Sequence, residues 1–189
     1  MDKIFGIDKI KSISLVLGFA VFFLSCGETD KPDMSRAQTD SVFIDSLKQF
    51  ISYSSDALLG GTVYVPVYSH IYQRNRSRTF NLTATLSIRN TDLNSSLTIS
   101  KVYYYDSDGN LIHKYLEEPR IINPLSSTSF VVEEKDLRGG VGANFLIIWE
   151  AKKDVNKPIF EAVMISTAQN QGISFVSVGR AIHSLNRSE

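Results

Sequence analysis

The stretch "TFNLTATLSIRN", residues Thr79 to Asn90, alternates without a break. Phe80, Leu82, Ala84, Leu86 and Ile88 occupy one parity, and Thr79, Asn81, Thr83, Thr85, Ser87 and Arg89 occupy the other. Successive side chains of an extended chain point to opposite faces, so a period of two collects the apolar groups on one side and the polar groups on the other. This predicts a strand that is half-buried in a sheet. Similar runs lie on both sides: "TVYVPVYSHIY", "LTISKVYYYD", "NLIHKYLE", "STSFVVEE", "NFLIIWEAK", "PIFEAVMIST" and "GISFVSVGRAI". Turn-rich pieces separate them, among them "NTDLNSS", "DSDGN", "LRGGVGA", "KDVNKP" and "AQNQG". With no helical crossovers between the runs, the pattern predicts an all-β fold, an immunoglobulin-like antiparallel β-sandwich of seven to eight strands. Phe145, Ile147 and Trp149 alternate with Leu146 and Ile148 on a strand apolar on both faces, which should be central. Pro66 lacks an N–H to donate and is expected to put its strand at an edge.

The chain before this region has a different chemistry. Lys3, Lys9 and Lys11 precede an apolar run of twelve residues, Ile13 to Leu24, which ends at Ser25 and Cys26. Twelve helical residues rise about 18 Å against ~30 Å of hydrocarbon, too short to span, and the layout is that of a signal peptide. Phe23-Leu24-Ser25-Cys26 resembles a bacterial lipobox, so Cys26, the chain's single cysteine, is expected to carry the lipid and become the mature N-terminus. Removal of residues 1–25 takes three of the 20 basic and two of the 20 acidic residues, leaving 17 against 18. With charges interspersed and no basic block, a nucleic-acid groove is not expected.

Residues 26–41 are rich in Thr, Asp, Lys, Pro and Ser and read as a flexible tether. Phe43, Leu47, Phe50 and Ile51 then recur at helical spacing, which predicts a short amphipathic helix within 42–59, docked on the domain or on the membrane. The β domain is expected over 60–183, and 184–189 as a tail.

Within that domain, "GTVYVPVYSHIY", "LTATLSIRNTD", "YYDSDGN", "GGVGANFLIIWEA" and "EAVMISTAQNQGISFVSVGR", in this order, resemble the bacterial domain-of-unknown-function family numbered 3124, over about Gly60 to Ile182. The resemblance implies export and a single domain. It implies no catalytic residue, because the family has no established activity.

Candidate sites divide into weak and usable ones. "DSDGN" offers Asp106 and Asp108 as oxygen ligands, but Gly109 is misplaced for a calcium loop, and Asp-Gly between strands signals a hairpin. The glycines of "RGGVGAN" run into a strand rather than opening a helix, unlike a phosphate loop. His70, His113 and His183 have no partner at zinc spacing, so neither metal nor cofactor is expected. Glu161 shares a strand face with Ile159, Val163 and Ile165, where a lone carboxylate is costly to bury; Arg89 or Arg180 is the expected partner of a buried ion pair. Val63, Val65, Val67 and Ile71 take one face of their segment and leave Tyr64, Tyr68, His70 and Tyr72 on the other. This is a candidate binding surface unless the segment Phe43 to Ile51 covers it. The expected role is a lipid-anchored module that binds or supports a protein or saccharide of a bacterial cell envelope, at the outer membrane. The alternative is an enzyme acting on envelope polymers or saccharides.

Overall fold

In the computed structural model, which describes residues 51–167 and 172–187, the alternation of Thr79–Asn90 becomes a burial pattern. Phe80, Leu82, Ala84, Leu86 and Ile88 are all buried. The run is divided once, at Leu82, into β3 (Thr79–Asn81) and β4 (Thr83–Arg89). Leu82 donates its N–H to the carbonyl of Ser69 at 2.9 Å. β3 therefore pairs with β2 (His70–Tyr72) in a ribbon of its own, while β4 enters a larger sheet.

The remaining strands are β1 (Leu59–Pro66), β5 (Leu97–Tyr105), β6 (Leu111–Lys114), β7 (Arg120–Ile122), β8 (Ser127–Val132), β9 (Asn144–Ala151), β10 (Ile159–Ser166), β11 (Ile173–Val178) and β12 (Arg180–Asn186). One sheet has the order β12-β1-β9-β5-β6, with β7 also on β5, and the second has the order β11-β10-β4-β8. All pairings are antiparallel, and no helix occurs among the described residues. The strands number twelve rather than seven or eight, because three of the longer runs break, after Pro66, at Leu82 and at Gly179, and the short β7 adds a strand on β5 that no run announced.

Both sheets contribute to one core. Val63, Val65, Ile99, Val102, Phe145, Ile147 and Trp149 come from the first; Ala84, Leu86, Ile88, Phe130, Phe160, Ala162 and Met164 come from the second. Burial of each large side chain contributes about 1.5–3 kcal/mol before its ordering cost. β9 lies inside its sheet, between β1 and β5, and Ile148 on its other face is buried too.

Three expectations are corrected. β1 is an interior strand, flanked by β12 and β9. Val67 donates its N–H to Ala143 at 2.9 Å, so the adjacent Pro66 faces the β12 side, where pairing has already ended at Tyr64 opposite Arg180. The proline thus costs no ladder bond. The helix expected within 42–59 is absent from 51–59, which is extended with a turn at Ser55 and Asp56 until β1 begins; residues 42–50 lie outside the described residues. Instead the chain ahead of β1 crosses the outer face of the first sheet. The Tyr53 hydroxyl lies 3.1 Å from both Thr62 Oγ1 and His183 Nδ1, and Ser54 donates its N–H to Glu150 Oε2 at 2.8 Å. Finally, β12 carries the sheet to Asn186, past the boundary expected at 183. Its sequence does not show this because the strand is exposed along nearly its whole length.

β11 and β12 are one run of chain interrupted at Gly179, where it leaves the second sheet for the first. A Cβ at Gly179 would stand 2.8 Å from Val63 Cγ1, 2.9 Å from Phe160 Cβ and 3.0 Å from Val65 Cγ2. Only glycine fits that corner.

Candidate functional site

Cys26 lies outside the described residues. The four residues of the expected binding surface have three different sets of neighbours. Tyr64 is half-buried in β1, and Tyr68, in the connection to β2, sets its ring edge-on to Phe175 of β11 with centroids 5.9 Å apart. His70 and Tyr72 meet each other on the β2 ribbon, also at 5.9 Å, and Tyr72 is exposed. Val63, Val65 and Val67 on the opposite parity are buried as expected. Of the expected cover, Phe43 to Phe50 lie outside the described residues and Ile51 is half-buried.

Glu161 is paired, but not in the core. Its Oε2 lies 3.5 Å from Arg89 Nη1, with 53% of the arginine side chain and 32% of the glutamate side chain accessible. Phe160, Ala162 and Met164 are the residues of β10 that face inward; Glu161 shares the outer face with Ile159, Val163 and Ile165, all exposed. A pair so placed is worth about 0–1 kcal/mol. Arg180 is elsewhere, exposed at the start of β12 and opposite Tyr64.

The two loops that invite a ligand are occupied by their own chain. Asp106 accepts the N–H groups of Asp108 and Asn110 on Oδ1 and the Asn110 side chain on Oδ2, while Gly109 takes φ +83. The Asn110 hydrogen bond, foremost among these, holds the Asp106 carboxyl below its ordinary range. In the glycine loop, Gly140 donates its N–H to Leu137 O at 3.2 Å and Gly142 donates to Ser107 Oγ at 2.9 Å.

Two features have no signal in the linear pattern. The first is a cleft of about 630 Å³ lined by His113, Tyr115, Glu133, Lys135, Asp136 and Arg138, among others. Arg138 grips Asp136 with two bonds, Nε to Oδ1 at 2.8 Å and Nη2 to Oδ2 at 2.7 Å. That grip keeps Asp136 ionised, so it is an acceptor rather than a proton donor. Tyr115 donates to Val131 O at 2.9 Å, and burial pushes its phenol up to about 12.

The second feature is the outer face of the second sheet. Register aligns Val176, Val163, Thr85 and Val131 in one row across all four strands, with Ile165 between Ser174 and Thr83 in the next. Ile159, Val163, Ile165, Val131, Val176 and Val178 are between 37% and 62% exposed. The charges of the β4 and β10 strands on this face, Arg89 and Glu161, are paired with each other. A solvent-facing side of an antiparallel sheet is ordinarily polar, so a contiguous apolar one marks an interaction surface. Among the described residues, no three metal-ligating side chains converge anywhere.

Comparison with known proteins places the chain. The model of the family described as a protein of unknown function, DUF3124, matches residues 60–182. The chain belongs to the DUF3124 family. No curated protein matches this DUF3124 chain. Among solved structures it is similar to the crystal structure of Thermotoga maritima 1070, at 13% identity and a TM-score of 0.39, over 64% of this chain and 92% of that one.

Proposed function

We propose that this DUF3124 chain is a lipid-anchored module of the bacterial cell envelope, an immunoglobulin-like β-sandwich that binds an apolar protein surface and carries out no chemistry of its own. The row Val176–Val163–Thr85–Val131 carries the reading, since it presents methyl groups to water across the full width of a sheet. The charged start, the apolar run and Cys26 support export and anchoring at the outer membrane. The alternative, an enzyme acting on envelope polymers or saccharides, finds its best residues in the cleft of His113 and Asp136. There Asp136 is committed to Arg138, and Glu133 is paired with Lys135 at 2.7 Å.

Photo-crosslinkers placed singly at Val163 and at Ile121, an exposed position on the first sheet, test the reading in cells. The Val163 probe should form a discrete protein adduct that Ile165→Lys removes without changing the melting temperature. Equal labelling from Ile121, or an adduct indifferent to Ile165→Lys, would sink the assignment of this face.

A further inference from the structure

We infer that β11 is a pairing edge for a second copy of this chain, joined antiparallel about a two-fold axis through Val176. The backbone sets which groups are free. Gly179 donates its N–H to Phe160 O at 2.8 Å, so these two are a facing pair that exchanges hydrogen bonds. Such pairs alternate along an antiparallel ladder. Ile173, Phe175 and Ser177 therefore turn their N–H and C=O groups toward β10, and Ser174, Val176 and Val178 turn theirs away. Among the described residues no strand takes up that second edge.

The opposite edge of the same sheet, β8, and the edge of the first sheet that continues from β11, β12, are closed or spoiled. β8 is capped by the Tyr115 hydroxyl on Val131 O at 2.9 Å and by Arg120 Nη1 on Thr128 Oγ1 at 2.8 Å, with the same guanidinium 5.4 Å from the centre of the Phe130 ring. β12 begins with Arg180 and carries a bulge opposite Thr62 and Val63. Charge, bulges and cover are the usual means of keeping an edge unpaired. From Gly172 to Gly179 the sequence "GISFVSVG" has no charge and no proline.

Self-pairing is favoured by register. Only an axis through Val176 maps the three outward-facing residues onto themselves. Val176 then meets Val176 of the second copy, and Ser174 meets its Val178. On the inner face, Phe175 falls opposite Ser177 of the second copy and Ile173 opposite its Gly179, so each large side chain meets a small one and no like charges oppose. The row Val131–Thr85–Val163–Val176 would continue without interruption into the second molecule. A five-residue ladder spans only about 17 Å, and one strand edge of that length buries less than the roughly 800 Å² per partner of a stable interface, so association should be reversible and concentration-dependent. The inference stands apart from the anchor and from the identity of any other partner.

Val176→Cys in the full chain tests it. Facing residues that exchange hydrogen bonds have Cα atoms about 5.5 Å apart, within disulfide range. Mild oxidation should give a band of twice the chain mass, above the background set by Cys26 in the unsubstituted chain. Val163→Cys, one strand inward, should stay at background. Val176→Lys should weaken self-association at least about tenfold in sedimentation, with circular dichroism unchanged. Equal crosslinking from Val163→Cys, a mixed disulfide with a different protein in place of the dimer, or an unsubstituted chain that stays monomeric at every concentration would each overturn the inference.

Discussion

The hydroxyl of Tyr104 is buried and has no hydrogen-bond partner, while its ring packs on Phe145 at 5.2 Å. An unpaired buried hydroxyl costs about 1–3 kcal/mol, so Tyr104→Phe should raise stability by about 1 kcal/mol in chemical denaturation. A drop instead would mean that the hydroxyl has a partner. The same substitution has a pH signature. Burial, with Asp136 adding to it, raises the Tyr104 phenol, and Tyr115 is raised to about 12. The unfolded chain releases those protons near the ordinary 10.0, before the folded chain does, so stability is full below that value and falls as pH rises above it. Tyr104→Phe should make the alkaline loss shallower, and a pH series of melting curves reads it. Little of this is legible in the sequence. "VYYYD" shows three tyrosines in a row but not which hydroxyl enters the core, and His113 stands 23 positions from Asp136.

At the scale of elements, alternation is a strong signal where the two faces differ chemically and a weak one where they do not. Thr79–Asn90 has polar and apolar parities, and the buried set follows directly. β10 has Phe160, Ala162 and Met164 on one parity and Ile159, Val163 and Ile165 on the other. Both parities look buried on paper, and Glu161 is drawn into the wrong environment with its neighbours. Which face turns inward depends on the sheet across the core, which a single strand does not encode. Pro66 misleads for a related reason: a proline is excluded only from the side where its N–H would have been needed, and that side follows from where β12 stops. Gly179 gives the test at this scale. Gly179→Ala would press a methyl group onto Val63, Phe160 and Val65 at 2.8–3.0 Å, and overpacking of this kind costs about 1–3 kcal/mol. Gly172→Ala, with nothing within 4 Å of its Cβ, should cost less than half as much; equal losses from both would show that backbone freedom, not the packed corner, is what matters.

At the scale of the molecule, the antiparallel β fold was legible from turn spacing, whereas the apolar outer face and the open edge of β11 depend on strand order. The anchor belongs to this scale as well. Cys26→Ser should move the full chain from the membrane fraction to the soluble fraction and abolish incorporation of labelled palmitate; retention of either would exclude lipidation at Cys26. A last consequence follows from the corner at Gly179. The strand beyond it pairs with the first strand of the described domain, Leu59 opposite Asn186. Contacts so distant in sequence make folding slow, because a long loop must close before they form. As the polypeptide emerges from its N-terminal end, β1 has one side unfilled until residues 180–186 are made. Neither sheet can be finished early, since the piece that completes one is the continuation of the piece that completes the other. Nascent chains stalled before residue 180 should therefore be sensitive to proteases that the released protein resists.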